Sequence, residues 1–111
     1  MKIPFHKPHI TQKELDSVTD TIQTGWLTMG LKTLEFERAF KQYIGSDFAV
    51  SVSSATAALH LSLNALEIKE NDEVIIPTNT FIATAEAVAY LNARPVLCDI
   101  DYKTHNINPD L

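Results

Sequence analysis

Hydroxyl side chains cluster where an apolar run gives way to a helical pattern. Ser53, Ser54 and Thr56 stand there, and the alanines among them, Ala55 and Ala57, leave the backbone amides unobstructed. The first amides of a helix lack intrahelical partners and lie at the positive end of the helix dipole, so they attract anions. One serine could instead only cap the helix. The combination of hydroxyls and small residues favours a phosphate site.

Two further loops follow apolar runs that are predicted to be strands. Parallel sheets bind ligands beyond the carboxyl ends of their strands, so the loops after all three predicted strands share one edge. These loops are residues 53–56, 77–81 and 99–101. In the second loop, Phe81 could stack its aromatic face on a flat heterocycle, or it could be the first buried residue of the next helix. Its neighbours Asn79 and Thr80 could be the N-cap of that helix.

Acidic and imidazole side chains give weaker signals. Asp99 and Asp101 could ligate a metal, but no third ligand accompanies them in the sequence, and turn capping is favoured. The histidines lack the spacing of a metal site, and His60 is predicted to pack beside the leucines of its helix. The four histidines are His6, His9, His60 and His105.

The elements that must position these residues begin with two predicted helices. Thr11 and Glu14 form a capping-box pattern, and Gly25 is predicted to end the first helix. Gly45 is predicted to end the second. Trp26 lies in the loop between them, as a hydrophobic anchor or as a contact for substrate or partner. The second helix is predicted to bury Phe36, Ala39, Phe40, Tyr43 and Ile44.

From residue 47 onward the pattern changes to strand, helix, strand, helix, strand. Short β-branched runs near 48–52, 73–77 and 95–99 alternate with helical stretches, which predicts an α/β fold with a parallel sheet covered on both faces. We expect two sections, an N-terminal arm with two helices over 1–46 and an incomplete α/β domain over 47–111. Three parallel strands leave open edges, which favours a fragment of a larger α/β protein.

The composition excludes several classes of protein. The chain has 111 residues, a formal charge of −5 and scattered basic residues, which argues against nucleic-acid binding. The single cysteine, Cys98, permits no intrachain disulfide and fits a reducing, cytoplasmic setting. We find no secretory signal and no apolar run long enough to span a membrane. Glycine-rich dinucleotide and triphosphate loops are also absent.

Seven motifs occur in an order that resembles one family. They are GWLTMG, EFERAF, YIG, VSSATAALHLSL, NDEVIIPTNTFIATAEAV, ARPVLCDID and a final TxN. This series resembles the DegT/StrS-type sugar aminotransferases, which are pyridoxal phosphate (PLP) enzymes of the aspartate-aminotransferase fold (fold type I). The resemblance covers Pro4 to Leu111 but only the N-terminal section of a family whose members are several times longer. It implies that this chain begins the large domain of such an enzyme.

The resemblance also implies roles for particular residues. It assigns the PLP phosphate to the helix start at Ala55, Thr56 and Ala57, and ring stacking to Phe81. A loop near the sugar-nucleotide site is assigned to Gly25, Trp26, Leu27 and Thr28. The implied reaction transfers an amino group, usually from glutamate, to a nucleotide-linked keto sugar in a homodimer whose active sites are shared between subunits. No metal site is implied.

The sequence departs from the family pattern in two ways. Asn71, Asn92 and Glu67 stand where glycine is usual, and asparagine tolerates the left-handed turn conformation better than most residues. The lysine that forms the Schiff base with PLP, and the carboxylate that pairs with the pyridine nitrogen, lie downstream in the family. None of the seven lysines here matches a catalytic position: Lys2, Lys7, Lys13, Lys32, Lys41, Lys69 and Lys103. We therefore expect no transamination by this chain alone.

Two other functions stay open at this point. A PLP-dependent sugar dehydratase of the same family would differ at the downstream lysine position. A non-catalytic α/β module that binds a phosphorylated ligand or another subunit would have no lysine-bearing continuation. The sequence does not identify the sugar, the nucleotide or the carbon that is aminated.

Overall fold

The structure, a computed structural model, describes residues 3–110. Predictions that fall on Met1, Lys2 and Leu111 therefore lie outside the described residues. The chain divides into two compact units, one up to Ser51 and one from Val52. The elements are α1 (Gln12–Thr24), α2 (Leu31–Ile44), α3 (Ala55–Ala65), β1 (Glu73–Pro77), α4 (Ala83–Ala89) and β2 (Arg94–Cys98). The α/β class is confirmed.

Helix α1 begins and ends where the sequence predicts, and α2 ends at the glycine predicted to stop it. At the start of α1, the Glu14 carboxylate accepts a hydrogen bond of 2.6 Å from the Thr11 N–H. The Thr11 hydroxyl donates to the same carboxylate, and these bonds lower the pKa of Glu14. Gly25 ends α1 with φ of 72°, and Gly45 ends α2 with φ of 77°. Both glycines adopt the left-handed conformation that a helix C-terminus requires.

The predicted inner face of α2 is not covered by this chain. Phe36, Phe40, Tyr43 and Ile44 are all exposed, as are Leu15, Val18 and Ile22 on α1. An amphipathic pattern identifies the face that needs cover, but it carries no information about which segment supplies that cover. The prediction that α2 buries Phe36, Ala39, Phe40, Tyr43 and Ile44 is therefore wrong within residues 3–110.

In the second unit, β1 and β2 form a two-stranded parallel sheet. The register runs from Glu73 opposite Arg94 to Pro77 opposite Cys98. α4 provides the crossover that parallel strands require. The prediction of a strand near 48–52 is wrong, because that segment pairs with no described residue and forms no strand. Its apolar, β-branched sequence favours an extended backbone, but a strand also needs the hydrogen bonds of a neighbour.

A small core joins α4 to the sheet. Ile76 of β1 and Val88 of α4 are 4% and 1% exposed, and Ala87 beside Val88 is fully buried. Burying a valine or isoleucine side chain contributes about 1.5–3 kcal/mol to stability. Ala93 completes the buried cluster. The His60 ring packs edge to face on the Tyr90 ring, with 5.5 Å between the ring centroids. The prediction that His60 is a packed residue is therefore confirmed.

The sheet is covered less completely than the sequence predicts. Ile75 and Leu97 are exposed, so the expectation of cover on both faces is wrong within this chain. The near-continuous apolar strands indicate a sheet that would be buried on both sides in a larger assembly. No helix among residues 3–110 has both the length and the apolar character needed to cross a membrane.

Four non-glycine residues of the second unit have a left-handed backbone: His105, with φ of 60°, and three residues in the turns before β1 and β2. Glu67, Asn71 and Asn92 have φ of 61°, 72° and 56°, although none of them is glycine. These are the positions at which the sequence departs from the glycines of the family pattern. The structure confirms the expected left-handed conformation of the two asparagines and shows that Glu67 adopts it as well. A glutamate in this conformation carries more steric strain than an asparagine or a glycine.

The strain at Glu67 gives a stability prediction. Glu67→Gly should raise the free energy of unfolding by about 1 kcal/mol, because the relief of strain exceeds the extra entropy of an unfolded glycine. The measurement is urea unfolding of the full-length protein.

The matched control is Glu70→Gly, an exposed glutamate in the same turn region without a positive φ. This control should leave stability unchanged or lower it by up to about 1 kcal/mol. A Glu67→Gly variant less stable than wild type would contradict the assignment of strain.

Candidate functional site

The first turn of α3 is built around Ser54. Ser54 has an extended backbone, and its Oγ accepts a hydrogen bond of 3.1 Å from the Ala57 N–H. The Ser54 carbonyl accepts a hydrogen bond of 3.0 Å from the Ala58 N–H. The capping role that the sequence leaves open for a serine is thus the one that Ser54 performs. The Ala57 amide, which the resemblance assigns to the phosphate, is already paired with that serine.

Two amides of the same turn are left for a ligand. Within residues 3–110, neither the Ala55 N–H nor the Thr56 N–H donates to a protein acceptor. The hydroxyls of Ser53 and Thr56 also lack protein partners in this range. Ser53 and Ala55 are exposed, and Thr56 is half-buried. Unpaired donors therefore sit at one helix end in reach of solvent.

The electrostatics of this turn suit an anion. No acidic side chain lies in the first turn of α3, so no carboxylate of that turn compensates the positive end of the helix dipole. Two backbone amides and two hydroxyls are the kind of donor set that binds phosphate oxygens. Small alanine side chains leave the approach open. The residues present here fit a phosphate group, and we call residues 53–57 the phosphate cradle.

The loop after β1 does not cap α4 as proposed. Ile82 precedes the first residue of α4, and the Thr80 and Thr84 hydroxyls bond to each other at 2.8 Å. Asn79 and Thr80 are therefore not the N-cap. The Phe81 ring is 76% exposed, which excludes the alternative that it is the first buried residue of its helix within this chain. Its stacking role stays a prediction, and no hydrogen bond among the described residues joins its loop to the phosphate cradle.

The two acids of the loop after β2 accept hydrogen bonds from different groups. Asp99 Oδ1 accepts a hydrogen bond of 2.8 Å from the Ile100 N–H. Asp101 Oδ1 accepts one of 2.8 Å from the Thr104 N–H, which lowers the pKa of Asp101. The capping interpretation is confirmed for Asp101, whereas the Asp99 carboxylate bonds to the adjacent amide and, at 3.4 Å, to the Thr78 hydroxyl. Among the described residues, no group of three or more possible metal ligands comes together.

The loop between α1 and α2 holds its tryptophan by local contacts. The Trp26 indole N–H donates to the Met29 carbonyl at 2.9 Å, while the side chain stays 64% exposed. A Cβ on Gly30 would lie 2.5 Å from Trp26 Cδ1, so the ring rests directly on the Gly30 backbone. Trp26, Leu27 and Thr28 line an open pocket of about 810 Å³, whereas Gly25 is the residue that ends α1.

Glu37 of α2 is a residue to which the sequence analysis assigns no role. Its carboxylate accepts a hydrogen bond of 2.7 Å from the Ser51 N–H. A glutamate beside aromatic residues on an amphipathic helix is usually interpreted as solvent-facing, so the pattern gives no warning of this contact.

Comparison with known proteins shows consistent similarity. Residues 8–111 match the DegT/DnrJ/EryC1/StrS aminotransferase family. An uncharacterised protein of Methanocaldococcus jannaschii is 51% identical over 106 residues, which are 96% of this chain and 28% of that protein. Spr1654 from Streptococcus pneumoniae, described as a sugar aminotransferase and solved in PLP and PMP forms, is 41% identical in both comparisons. Its PLP form gives a TM-score of 0.89 over 99% of this chain and 28% of that chain.

A solved dehydratase is also similar. The E. coli GDP-4-keto-6-deoxy-D-mannose-3-dehydratase with bound hydrated PLP has 27% identity and a TM-score of 0.88. That match covers 96% of this chain and 29% of the dehydratase. The chain thus spans less than a third of the length of the proteins it matches.

The contact between Gly30 and the indole gives a second prediction. Gly30→Ala should displace the Trp26 ring and break its bond to Met29, because the new Cβ would overlap Cδ1. Fluorine NMR of fluorotryptophan-labelled protein would show this as a shifted and broadened Trp26 resonance.

Gly45→Ala is the control, since its Cβ would meet nothing within 4 Å although its φ is 77°. This variant should lose stability without moving the Trp26 resonance. An unchanged Trp26 signal in Gly30→Ala would show that the ring does not rest on Gly30.

Proposed function

Because this chain belongs to the DegT/DnrJ/EryC1/StrS aminotransferase family, we propose that it is the N-terminal section of a PLP-dependent sugar aminotransferase. The substrate would be a nucleotide-linked keto sugar, and glutamate would donate the amino group. The observation that carries this proposal is the phosphate cradle, where the Ala55 and Thr56 amides have no protein acceptor among residues 3–110. The PLP and PMP forms of the similar Streptococcus pneumoniae protein support PLP as the phosphate-bearing cofactor.

The residues of the phosphate cradle would hold the cofactor by its phosphate. The Ala55 and Thr56 N–H groups and the Thr56 hydroxyl would donate to phosphate oxygens, while Ser54 keeps the helix end formed. Ala57 would contribute its small side chain rather than its amide, since that amide is bonded to Ser54. When bound, PLP supplies an electron sink for chemistry at the amino-bearing carbon.

Two exposed aromatic residues would complete the contacts made by this chain. The Phe81 ring would stack on the cofactor ring, which suits its exposure at the carboxyl edge of the sheet. Trp26 would face the sugar nucleotide together with Gly25, Leu27 and Thr28. Since its N–H is bonded to Met29, Trp26 would act through its aromatic face rather than as a hydrogen-bond donor.

The covalent step needs a residue from outside this chain. No lysine here matches the catalytic position of the family pattern, so the lysine would come from the remainder of the full-length protein. Residues 1–111 alone should therefore not transaminate. We also propose a cytoplasmic homodimer that makes amino sugars for cell-surface polysaccharides, as the family resemblance implies.

A sugar dehydratase is the second candidate function. The fold of this chain resembles the E. coli dehydratase, with a TM-score of 0.88, almost as closely as it resembles the Streptococcus pneumoniae aminotransferase, with a TM-score of 0.89. The two reactions differ in their products. An aminotransferase leaves nitrogen on the sugar and converts glutamate to 2-oxoglutarate, whereas a dehydratase removes water from the sugar and its product retains no nitrogen.

The test of the proposal uses the full-length protein with PLP, glutamate and a panel of keto sugar nucleotides. We expect 2-oxoglutarate and an amino sugar in equal amounts, measured by mass spectrometry. Thr56→Val should weaken PLP binding about tenfold, because a hydrogen bond to a charged phosphate contributes on the order of 1.4 kcal/mol or more. Binding of pyridoxal, which lacks the phosphate, should not change.

Thr19→Val, at an exposed position on α1, is the control and should bind PLP like wild type. A deoxygenated product without nitrogen would support the dehydratase instead. A wild-type protein that binds PLP no better than pyridoxal would contradict both enzymatic functions and favour a non-catalytic module.

A further inference from the structure

On α2, two polar side chains are partly buried while the large apolar side chains are exposed. Of its 14 residues, only Thr33 and Glu37 are shielded from solvent, while Phe36, Phe40 and Tyr43 are exposed. Partial burial of a carboxylate is unfavourable unless it receives hydrogen bonds. The position of Glu37 is therefore explained by what it binds.

The partner of Glu37 is a backbone amide far along the sequence. The Ser51 N–H donates to Glu37 Oε1 at 2.7 Å, across 14 positions and within the first unit. Hydrogen bonds from an amide to a carboxylate are about twice as strong as neutral ones. The Ser51 hydroxyl is also buried and has no partner among residues 3–110. Among the described residues, the bond from its amide to Glu37 is therefore the one hydrogen bond of the partly buried Ser51.

This bond replaces the sheet pairing that the segment lacks. Residues 48–52 form no strand, and the Glu37–Ser51 bond is the only hydrogen bond that residues 49–52 make within the described part of the chain. An extended segment without ladder bonds would otherwise have many backbone conformations. Glu37 therefore fixes the backbone at the residue from which the chain continues toward Ser53.

We propose that Glu37 is a positioning residue for phosphate binding, since its carboxylate holds the Ser51 backbone that leads directly into the phosphate cradle. The proposal rests on the proposed function of residues 53–57. Ser51 precedes Ser53 by two residues, so an ordered Ser51 restricts the conformations of the chain where it enters the phosphate cradle. Such preorganisation raises affinity by lowering the entropy lost when the ligand binds.

A purely structural role predicts a different outcome. If Glu37 only stabilises the fold, its loss should lower the affinity for PLP and for pyridoxal together, or affect neither. If it positions the phosphate cradle, its loss should weaken PLP binding selectively, because only PLP carries the phosphate. The ratio of the two dissociation constants separates these cases, and unfolding by urea reports stability independently.

The experiment compares Glu37→Leu and Glu37→Gln with wild type in the full-length protein. Glu37→Leu leaves the Ser51 amide unpaired, and we expect PLP to bind on the order of tenfold more weakly while pyridoxal binding stays unchanged. Glu37→Gln keeps a neutral acceptor and should give an intermediate loss. Amide exchange at Ser51 should be faster in both variants. Glu70→Gln, an exposed carboxylate elsewhere, should match wild type.

Several results would overturn the proposal. Equal losses for PLP and pyridoxal, or unchanged Ser51 exchange in Glu37→Leu, would reduce Glu37 to a structural residue. If Glu37→Leu does not fold, unaltered PLP preference in Glu37→Gln would have the same consequence. A wild-type protein without any preference for PLP over pyridoxal would instead contradict the proposed function, and this inference with it.

Discussion

The packing of α4 against β1 is the interaction on which the second unit depends. Parallel strands cannot be joined by a tight turn, so β1 and β2 pair only because a helix returns the chain to the starting edge. The buried residues of α4 are Ala83, Ala87 and Val88, and Val88 lies in one apolar cluster with Ile76 of β1. The crossover also requires the left-handed turn at Asn92, where the chain enters β2. Loss of this contact would separate the two strands and disperse the loops at their carboxyl ends.

The exposed groups of this chain indicate which parts of the proposed enzyme it would supply and which parts the rest of the protein would supply. The chain supplies unpaired amides at the start of α3 and an exposed Phe81 ring, both suited to holding a cofactor. It also leaves apolar residues such as Phe36, Ile75 and Leu97 in solvent. The similar proteins are more than three times as long as this chain, and in the proposed enzyme the remaining segments would cover these surfaces and provide the catalytic lysine.

Local features were predictable from the sequence because their causes are local. The capping pair at the start of α1 and the glycine that ends it involve residues of a single turn, and the structure has both. Asn71 and Asn92 were predictable as left-handed because few residue types tolerate that conformation. The Asp101 turn cap followed from the same short-range chemistry.

Non-local features were not predictable in the same way. The apolar pattern near 48–52 indicates an extended segment, but strand pairing depends on a neighbour that the described residues do not supply. Glu37 gave no signal, because its partner at Ser51 is distant in sequence and a backbone amide has no residue-specific pattern. The sequence also could not decide between the two interpretations of Phe81, since exposure depends on how the surrounding elements pack.

The central claim is that the start of α3 holds a phosphate through amides that the protein leaves unpaired. A crystal structure of the full-length protein grown with PLP tests it most directly. We predict phosphate oxygens about 2.7–3.2 Å from the backbone nitrogens of Ala55 and Thr56, with Ser54 still bonded to Ala57. A bound PLP whose phosphate contacts other groups, while both amides face only solvent, would contradict the account.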